Sequence, residues 1–344
     1  MSVKSGGFFG FIKRLFGFGS KDDEPKPSIA LVSDEEIDAE MNEPFVFDEE
    51  KNRREAEEMI AQSFEDEKID ADDPEIYFRR ATGHSLLEER ETALGLLDKA
   101  LSLDAGYIPA HRLKAAIYRE LEDYAEAVKW LDRTIALHSA DDEAFSEDIR
   151  DAATYSDRNA KADDYQDRAE AHVHLNNFEA AIDDFSKAIE IDPNNDFLYS
   201  SRGQIYLELN DYERALADLN KALEIDEGYY NYANRARIYK QSGDLDRALR
   251  DFDKAIALNE TSDSDLARYF DGYFDRAEIY MEKGDYNSAV RDYTTQIEKD
   301  PEFIDPYERR AAAYRFLGMD SLAAADEQRA AELAAEYEES ENSI

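Results

Sequence analysis

The sequence predicts an all-α fold, a solenoid of antiparallel helix pairs, about seven in number. Alanines at Ala93, Ala127, Ala181, Ala215, Ala248, Ala289 and Ala323 recur mostly about 34 residues apart, a period at which one helix–turn–helix unit stacks on the next. Twelve residues before each lies a second small residue, Ala81, Ala115, Ala169, Gly203, Ala236, Ala277 or Ala311. The two helices of a unit can approach closely there. A chain of 344 residues with 42% hydrophobic composition is also long and apolar enough to bury such a core.

Composition removes several function classes. There is no cysteine, which excludes disulfides, thiolate metal sites and thiol nucleophiles and fits a reducing compartment such as the cytoplasm. With 41 Lys+Arg against 82 Asp+Glu, the formal charge of −41 repels a phosphate backbone, so nucleic acid is not an expected partner. No uncharged apolar run approaches the ~18–20 residues that span a bilayer.

In chain order, residues 1–20, MSVKSGGFFGFIKRLFGFGS, hold three basic residues and no acidic one, leaving 38 basic and 82 acidic residues, or −44, in the rest. On a helical wheel Phe8, Phe9, Phe11, Ile12, Leu15, Phe16 and Phe18 share one half, opposite Gly10, Lys13, Arg14 and Gly17. This is the pattern of an interfacial helix, whose aromatic face enters a headgroup boundary while Lys13 and Arg14 meet anionic lipid. A mitochondrial presequence and a protein-docking segment share that composition and stay open. Lys13-Arg14 breaks the apolar core a secretory signal needs. Residues 21–47 are acidic with Pro25, Pro27 and Pro44 and are expected to form a flexible linker; Ser33 and Glu36 are spaced as a capping box for a short helix ending near Asn42. Over residues 48–73, Ala56, Met59, Ile60 and Phe64 fall at helical spacing, predicting a capping helix for the open end of the array.

With each periodic alanine at position 20, the units begin at Pro74, Ile108, Ala162, Asp196, Tyr229, Phe270 and Ile304. Units 1–2 cover 74–141, an inserted helix carrying Phe145, Ile149 and Ala152 is expected over 142–161, units 3–7 cover 162–337, and 338–344 form an acidic tail. A smaller insertion, TSDSDLARY, precedes unit 6. Asn210-Asp211, Gly243-Asp244 and Gly284-Asp285 supply turns, since Asn and Gly accept left-handed backbone and Asp caps the following helix. Pro193 and Pro301 close two units. Glu327, where an aromatic or leucine is expected, marks the last unit as a solvated cap. Stretches such as DFLYSSRGQIYLELNDYERALADLNKALEID, residues 196–226, resemble the tetratricopeptide repeat family, and the resemblance covers 74 to about 337. It implies a right-handed superhelical solenoid that binds proteins or peptides in a concave groove lined by first helices.

Position 7 carries Arg168, Arg202, Arg235, Arg276 and Arg310, and position 23 carries Asp184, Asp218, Asp251, Asp292 and Asp326. We read these columns as structural ion pairs between the two helices of units 3–7, because a partly buried guanidinium needs a planar acceptor. The columns are read as absent together from units 1 and 2, where Leu96 and Trp130 hold position 23. His84, His111 and His172 stand where other units carry tyrosine, so core packing accounts for them better than metal binding. No P-loop, nucleophile elbow, dinucleotide fingerprint or EF-hand loop is present; catalysis, cofactors and metals are not expected.

The family's groove positions map to Phe197, Ser200, Ser201 and Gln204 in unit 4 and to Tyr230, Asn234, Arg237 and Lys240 in unit 5. This is the least acidic stretch of a groove flanked by Asp163, Asp167 and Glu170 on one side and Asp271, Asp275 and Glu278 on the other. Asn, Arg and Lys beside aromatics suit an extended peptide or its carboxylate. The chain therefore reads as a non-catalytic adaptor for a protein or peptide partner, tethered to an anionic membrane surface by its first residues. The alternative is a chaperone-like regulatory subunit of an enzyme system.

Overall fold

A computed structural model describes residues 49–144, 154–262 and 270–341. Every regular element among them is helical: α1 Glu49–Glu67, α2 Pro74–Leu86, α3 Arg90–Leu103, α4 Ile108–Glu120, α5 Tyr124–Ala144, α6 Thr154–His174, α7 Phe178–Ile191, α8 Asp196–Glu208, α9 Tyr212–Ile225, α10 Tyr229–Gln241, α11 Leu245–Glu260, α12 Gly272–Glu282, α13 Tyr286–Lys299, α14 Asp305–Phe316 and α15 Asp320–Glu341. They form two units that divide between Asn177 and Phe178. Within each, consecutive helices pack as hairpins, the helix-pair solenoid architecture the period predicts.

Starts and stops follow local chemistry. Pro74 opens α2, and the Asp73 carboxylate accepts from Glu75 N at 2.9 Å. Asp211, Asp244 and Asp285 cap α9, α11 and α13 by accepting from the backbone N of Arg214, Arg247 and Ser288. Each first helix ends on a left-handed residue one position earlier: Glu88, Glu122, Asn176, Asn210, Gly243, Gly284 and Gly318, with φ between 57° and 84°. There the chain reverses through a backbone bond such as Asp211 N to Tyr206 O, 2.8 Å. Glutamate pays a steric cost in that region that glycine does not.

The alanine columns lie at the contacts between paired helices and are buried throughout. Tyr77, Phe78, Leu97, Leu113 and Ile117 fill the first unit beside Ala81 and Ala93; Phe252, Ile256, Tyr273 and Ile279 surround Ala236 and Ala248 in the second. Helix α1 packs on α2 through Gly83, where a Cβ would stand 2.9 Å from the Ala56 carbonyl oxygen and 2.6 Å from Ile60 Cγ1.

The segment expected as an inserted helix is divided differently. Residues 142–144 belong to α5 and 154–161 to α6, which runs without interruption into the repeat frame at Ala162. Phe145, Ile149 and Ala152 lie outside the described residues, as do residues 1–48, most of the TSDSDLARY insertion and the last three residues. No helix among the described residues is long and apolar enough to cross a membrane.

Candidate interaction surface

The position-7 cations set the spacing between units. Arg202, Arg235, Arg276 and Arg310 each donate Nε and Nη2 to both oxygens of Asp218, Asp251, Asp292 and Asp326, at 2.7–3.0 Å. The third nitrogen reaches back to the preceding unit. Nη1 of the four arginines donates to Ser186 Oγ, Asn220 Oδ1, Asp253 Oδ1 and Thr294 Oγ1, at 2.6–2.9 Å. Every one of these acceptors occupies position 25. Arg168 donates Nη1 to Asp132 at 2.6 Å, the same backward bond from unit 3 to position 25 of unit 2.

One sequence expectation is corrected here. Position 7 carries a cation in units 1 and 2 as well, so the columns are not absent together. Lys114 donates to Asp98 at 2.5 Å and lies 4.1 Å over the Trp130 ring. Arg80 is almost fully buried and donates to Ser63 Oγ at 3.0 Å and Glu67 Oε2 at 2.7 Å, both on α1, with its guanidinium 3.7 Å over Phe64. Where position 23 cannot accept, a neighbouring helix or an aromatic face takes the charge.

The histidines follow the repeat frame. At position 4, Tyr199 and Tyr307 donate their hydroxyls to the carbonyls six residues back, and buried His111 Nε2 pairs with Ala105 O at the same offset, 2.9 Å. Burial holds its pKa below the usual imidazole range. His84 Nδ1 lies 2.6 Å from Glu89. His174 stacks on Tyr124 with ring centroids 4.1 Å apart. No cluster of metal-ligating side chains occurs among the described residues.

Across the first helices of the second unit, the predicted groove residues are joined to one another. Asn234 Nδ2 donates to Ser200 Oγ at 2.9 Å, and Asn234 Oδ1 accepts from Arg237 Nη1 at 3.2 Å. Arg237 also donates Nε to Asp275 at 2.8 Å and Nη2 to Asp271 at 2.7 Å. A polar brace thus runs from α8 across α10 to α12. Burial pushes the Asp275 carboxyl up against the opposing pull of Arg237. Most of the Arg237 donors and one Nδ2 hydrogen of Asn234 are engaged within the protein, and Ser200 is buried, so a ligand carboxylate would meet these side chains already paired with neighbouring first helices.

The flanking acids are partly neutralised in the same way. In the first unit Arg119 donates to both Asp167 and Glu170, and burial drives the Asp167 pKa up to about 7. Arg112 grips Asp164 at 2.7 Å through two nitrogens, with His138 Nε2 3.0 Å from the same carboxylate. The 52 residues separating Arg112 from Asp164 include the insertion, which hides that pairing from a repeat-frame reading.

Phe197 and Tyr230, both at position 2, remain half exposed, at 51% and 52%. They stand at the same position of successive repeats, whose first helices are joined beside them by Asn231 Nδ2 donating to Asp196 at 2.7 Å. Tyr230 rests on Tyr229, centroids 4.1 Å apart, and meets Phe270 edge-on at 6.3 Å. Ser201 and Lys240 are part-exposed and Gln204 is exposed. The predicted membrane-contacting residues Phe8, Phe9, Phe11, Ile12, Lys13, Arg14, Leu15 and Phe16 lie outside the described residues.

Models of the tetratricopeptide repeat match residues 162–195, 197–262 and 234–301. The curated proteins give no match. Among solved structures, the chain is similar to a tetratricopeptide repeat protein from Parabacteroides merdae, with 18% identity over 76% of this chain and 93% of that one and a TM-score of 0.58. The C-terminal part of a repeat-containing protein from Cytophaga hutchinsonii gives 18% identity, 76% and 96% coverage and a TM-score of 0.55. PilW, a type IV pilus biogenesis factor, gives 16%, 67% and 93%, and 0.51. At these identities the likeness is one of fold.

Proposed function

We propose that this chain, whose residues 162–301 match models of the tetratricopeptide repeat, is a tetratricopeptide repeat protein acting as a non-catalytic adaptor that binds a protein or peptide partner on the concave face of units 4 and 5. The observation that carries this is the half-exposed pair Phe197 and Tyr230, set on a floor whose polar groups are already bonded to one another. Such a floor loses little freedom when a ligand binds, and aromatic anchors contribute most of the energy at interfaces. Ser201, Gln204 and Lys240 are placed to bond a peptide backbone beside those anchors.

In this reading residues 1–20 attach the adaptor to an anionic membrane surface, supported by their three basic residues, absence of acids and one-sided phenylalanines. Two measurements test it. Affinity capture with the full chain should enrich a defined partner set that Phe197→Ala/Tyr230→Ala loses and that rebinds as purified protein; identical capture by the variant defeats the groove reading. Vesicles of anionic lipid should sediment the full chain but not a 21–344 form, and equal sedimentation of both defeats the tether.

A further inference from the structure

Position 2 of the repeat, followed across the first helices of the second unit, changes chemistry halfway. It is Phe197 on α8, Tyr230 on α10, Asp271 on α12 and Asp305 on α14, with Glu308 one turn further along α14. Contacts between successive helices join these positions into one surface. Asn231 donates to Asp196 between α10 and α8, Tyr230 meets Phe270, the chain neighbour of Asp271, edge-on at 6.3 Å, and Arg309 Nε lies 3.7 Å from Glu278 Oε1 between α14 and α12. Two half-exposed rings are thus followed by a row of carboxylates.

The cations nearest the row are already committed. Arg237 is held by Asp271 and Asp275 and Arg309 by Glu278, while Lys240 stands about three turns further along α10 than Tyr230. Asp305 and Glu308 are exposed and pair with no cation among the described residues. Asp271 accepts from Arg237 through Oδ1 and still keeps 45% of its side chain exposed. A ligand carboxylate would have to take Arg237 away from Asp275, whereas a ligand cation finds acceptors that no internal bond has to release. We propose that the groove takes an extended protein segment in two parts, with aromatic residues on Phe197 and Tyr230 and arginine or lysine on Asp271, Asp305 and Glu308. Packed helices lie about 8–10 Å apart and an extended chain advances about 3.3 Å per residue, so one repeat matches about three residues of ligand. The cations therefore fall about three and six residues beyond the second aromatic anchor. This inference rests on the groove reading above and adds to it the chemistry and order of the ligand.

The test selects random linear peptides, displayed on phage, on the immobilised full chain and in parallel on its Phe197→Ala/Tyr230→Ala variant. Sequences enriched on the parent alone are expected to carry aromatic residues followed or preceded by arginine or lysine at that spacing. Parent-specific sequences that are neutral or acidic overturn the proposal and leave the groove reading standing. If no sequence distinguishes the two proteins, the groove reading falls and this inference falls with it. The strongest parent-specific peptide is then made as its C-terminal amide and its affinity measured in about 150 mM salt, where a Debye length of about 8 Å screens the net charge. Asp305→Asn/Glu308→Gln should weaken it about fivefold, and Glu213→Gln/Glu298→Gln, an equal loss of charge on exposed positions of second helices, should not. Equal weakening by both pairs means attraction to net charge alone, and no weakening by the first pair means that the carboxylate row is not engaged; either result overturns the proposal.

Discussion

Glu88 and Glu122 hold left-handed backbone at φ 63° and 60°, where five other turns use Asn or Gly. A non-glycine residue there carries roughly 1 kcal/mol of steric cost, partly offset by the smaller entropy it has to lose on folding. Glu88→Gly and Glu122→Gly are each expected to stabilise the first unit by about 0.5 kcal/mol, and Gly243→Ala to destabilise the second by about 1 kcal/mol. Denaturant midpoints measured at constant m-value decide both. The aspartate caps add a pH dependence. Hydrogen bonds from the Arg214 side chain, the Arg247 backbone and the Ser288 hydroxyl, respectively, lead in holding Asp211, Asp244 and Asp285 below the usual carboxylate range. Their contribution is complete above the unfolded-state value near 4 and is lost as pH falls through the lower folded value. Asp244→Asn should therefore differ from the parent at pH 7 and converge with it in the acid limb of a stability-against-pH curve.

Between elements, the arginine column decides how repeats adhere. Arg235→Met would leave the largely buried Asp251 carboxylate without its two strongest bonds and Asn220 without its donor. Breaking a fully buried pair costs ~3–5 kcal/mol, and partial exposure of Arg235 brings the expectation to about 2 kcal/mol. Arg235→Met/Asp251→Leu should recover much of that loss, as Leu96 at the same position of unit 1 suggests; equal destabilisation of single and double variants would contradict the account. This level was partly legible in the sequence. The 16-residue offset from Arg202 to Asp218 repeats in every later unit, so the partner within each repeat stood out. The partner in the preceding repeat did not, because position 25 alternates among Asp, Ser, Asn and Thr and shares only acceptor capacity. The pairing of Arg237 was hidden for a related reason: groove positions name which side chains face inward, whereas whether Asp271 and Asp275 come close enough to pair with them depends on how adjacent first helices stack.

For the molecule as a whole, a charge of −41 opposes compaction through long-range repulsion, which salt screens more effectively than the partly buried ladder pairs. The thermal midpoint is expected to rise when sodium chloride is raised from 10 to about 300 mM, where the Debye length shortens from about 30 Å to under 10 Å. A fall would show that exposed ion pairs dominate instead. The helical class and the number of repeats were readable because small residues must recur wherever two helices touch. The join between units 2 and 3 was not, since α6 runs without interruption into the repeat frame at Ala162.

The backward reach of each position-7 cation gives the array a polarity. Every repeat brings a hook and relies on the one before it for the eye, so the series needs an element at its front that offers an eye alone. Helix α1 does this with Ser63 and Glu67. Beginning a fragment at Pro74, where the repeats formally start, would strand the Arg80 guanidinium inside the fold, and such a fragment should melt from its leading edge while one beginning at Glu49 does not. At the other end, the equivalent place on α15 is Gln328, exposed and bonded only to its own helix neighbour Glu332 among the contacts seen. Repeats added by design would engage the existing array there without altering any pair already made, whereas an insertion at the front would require the α1 acceptors to be rebuilt.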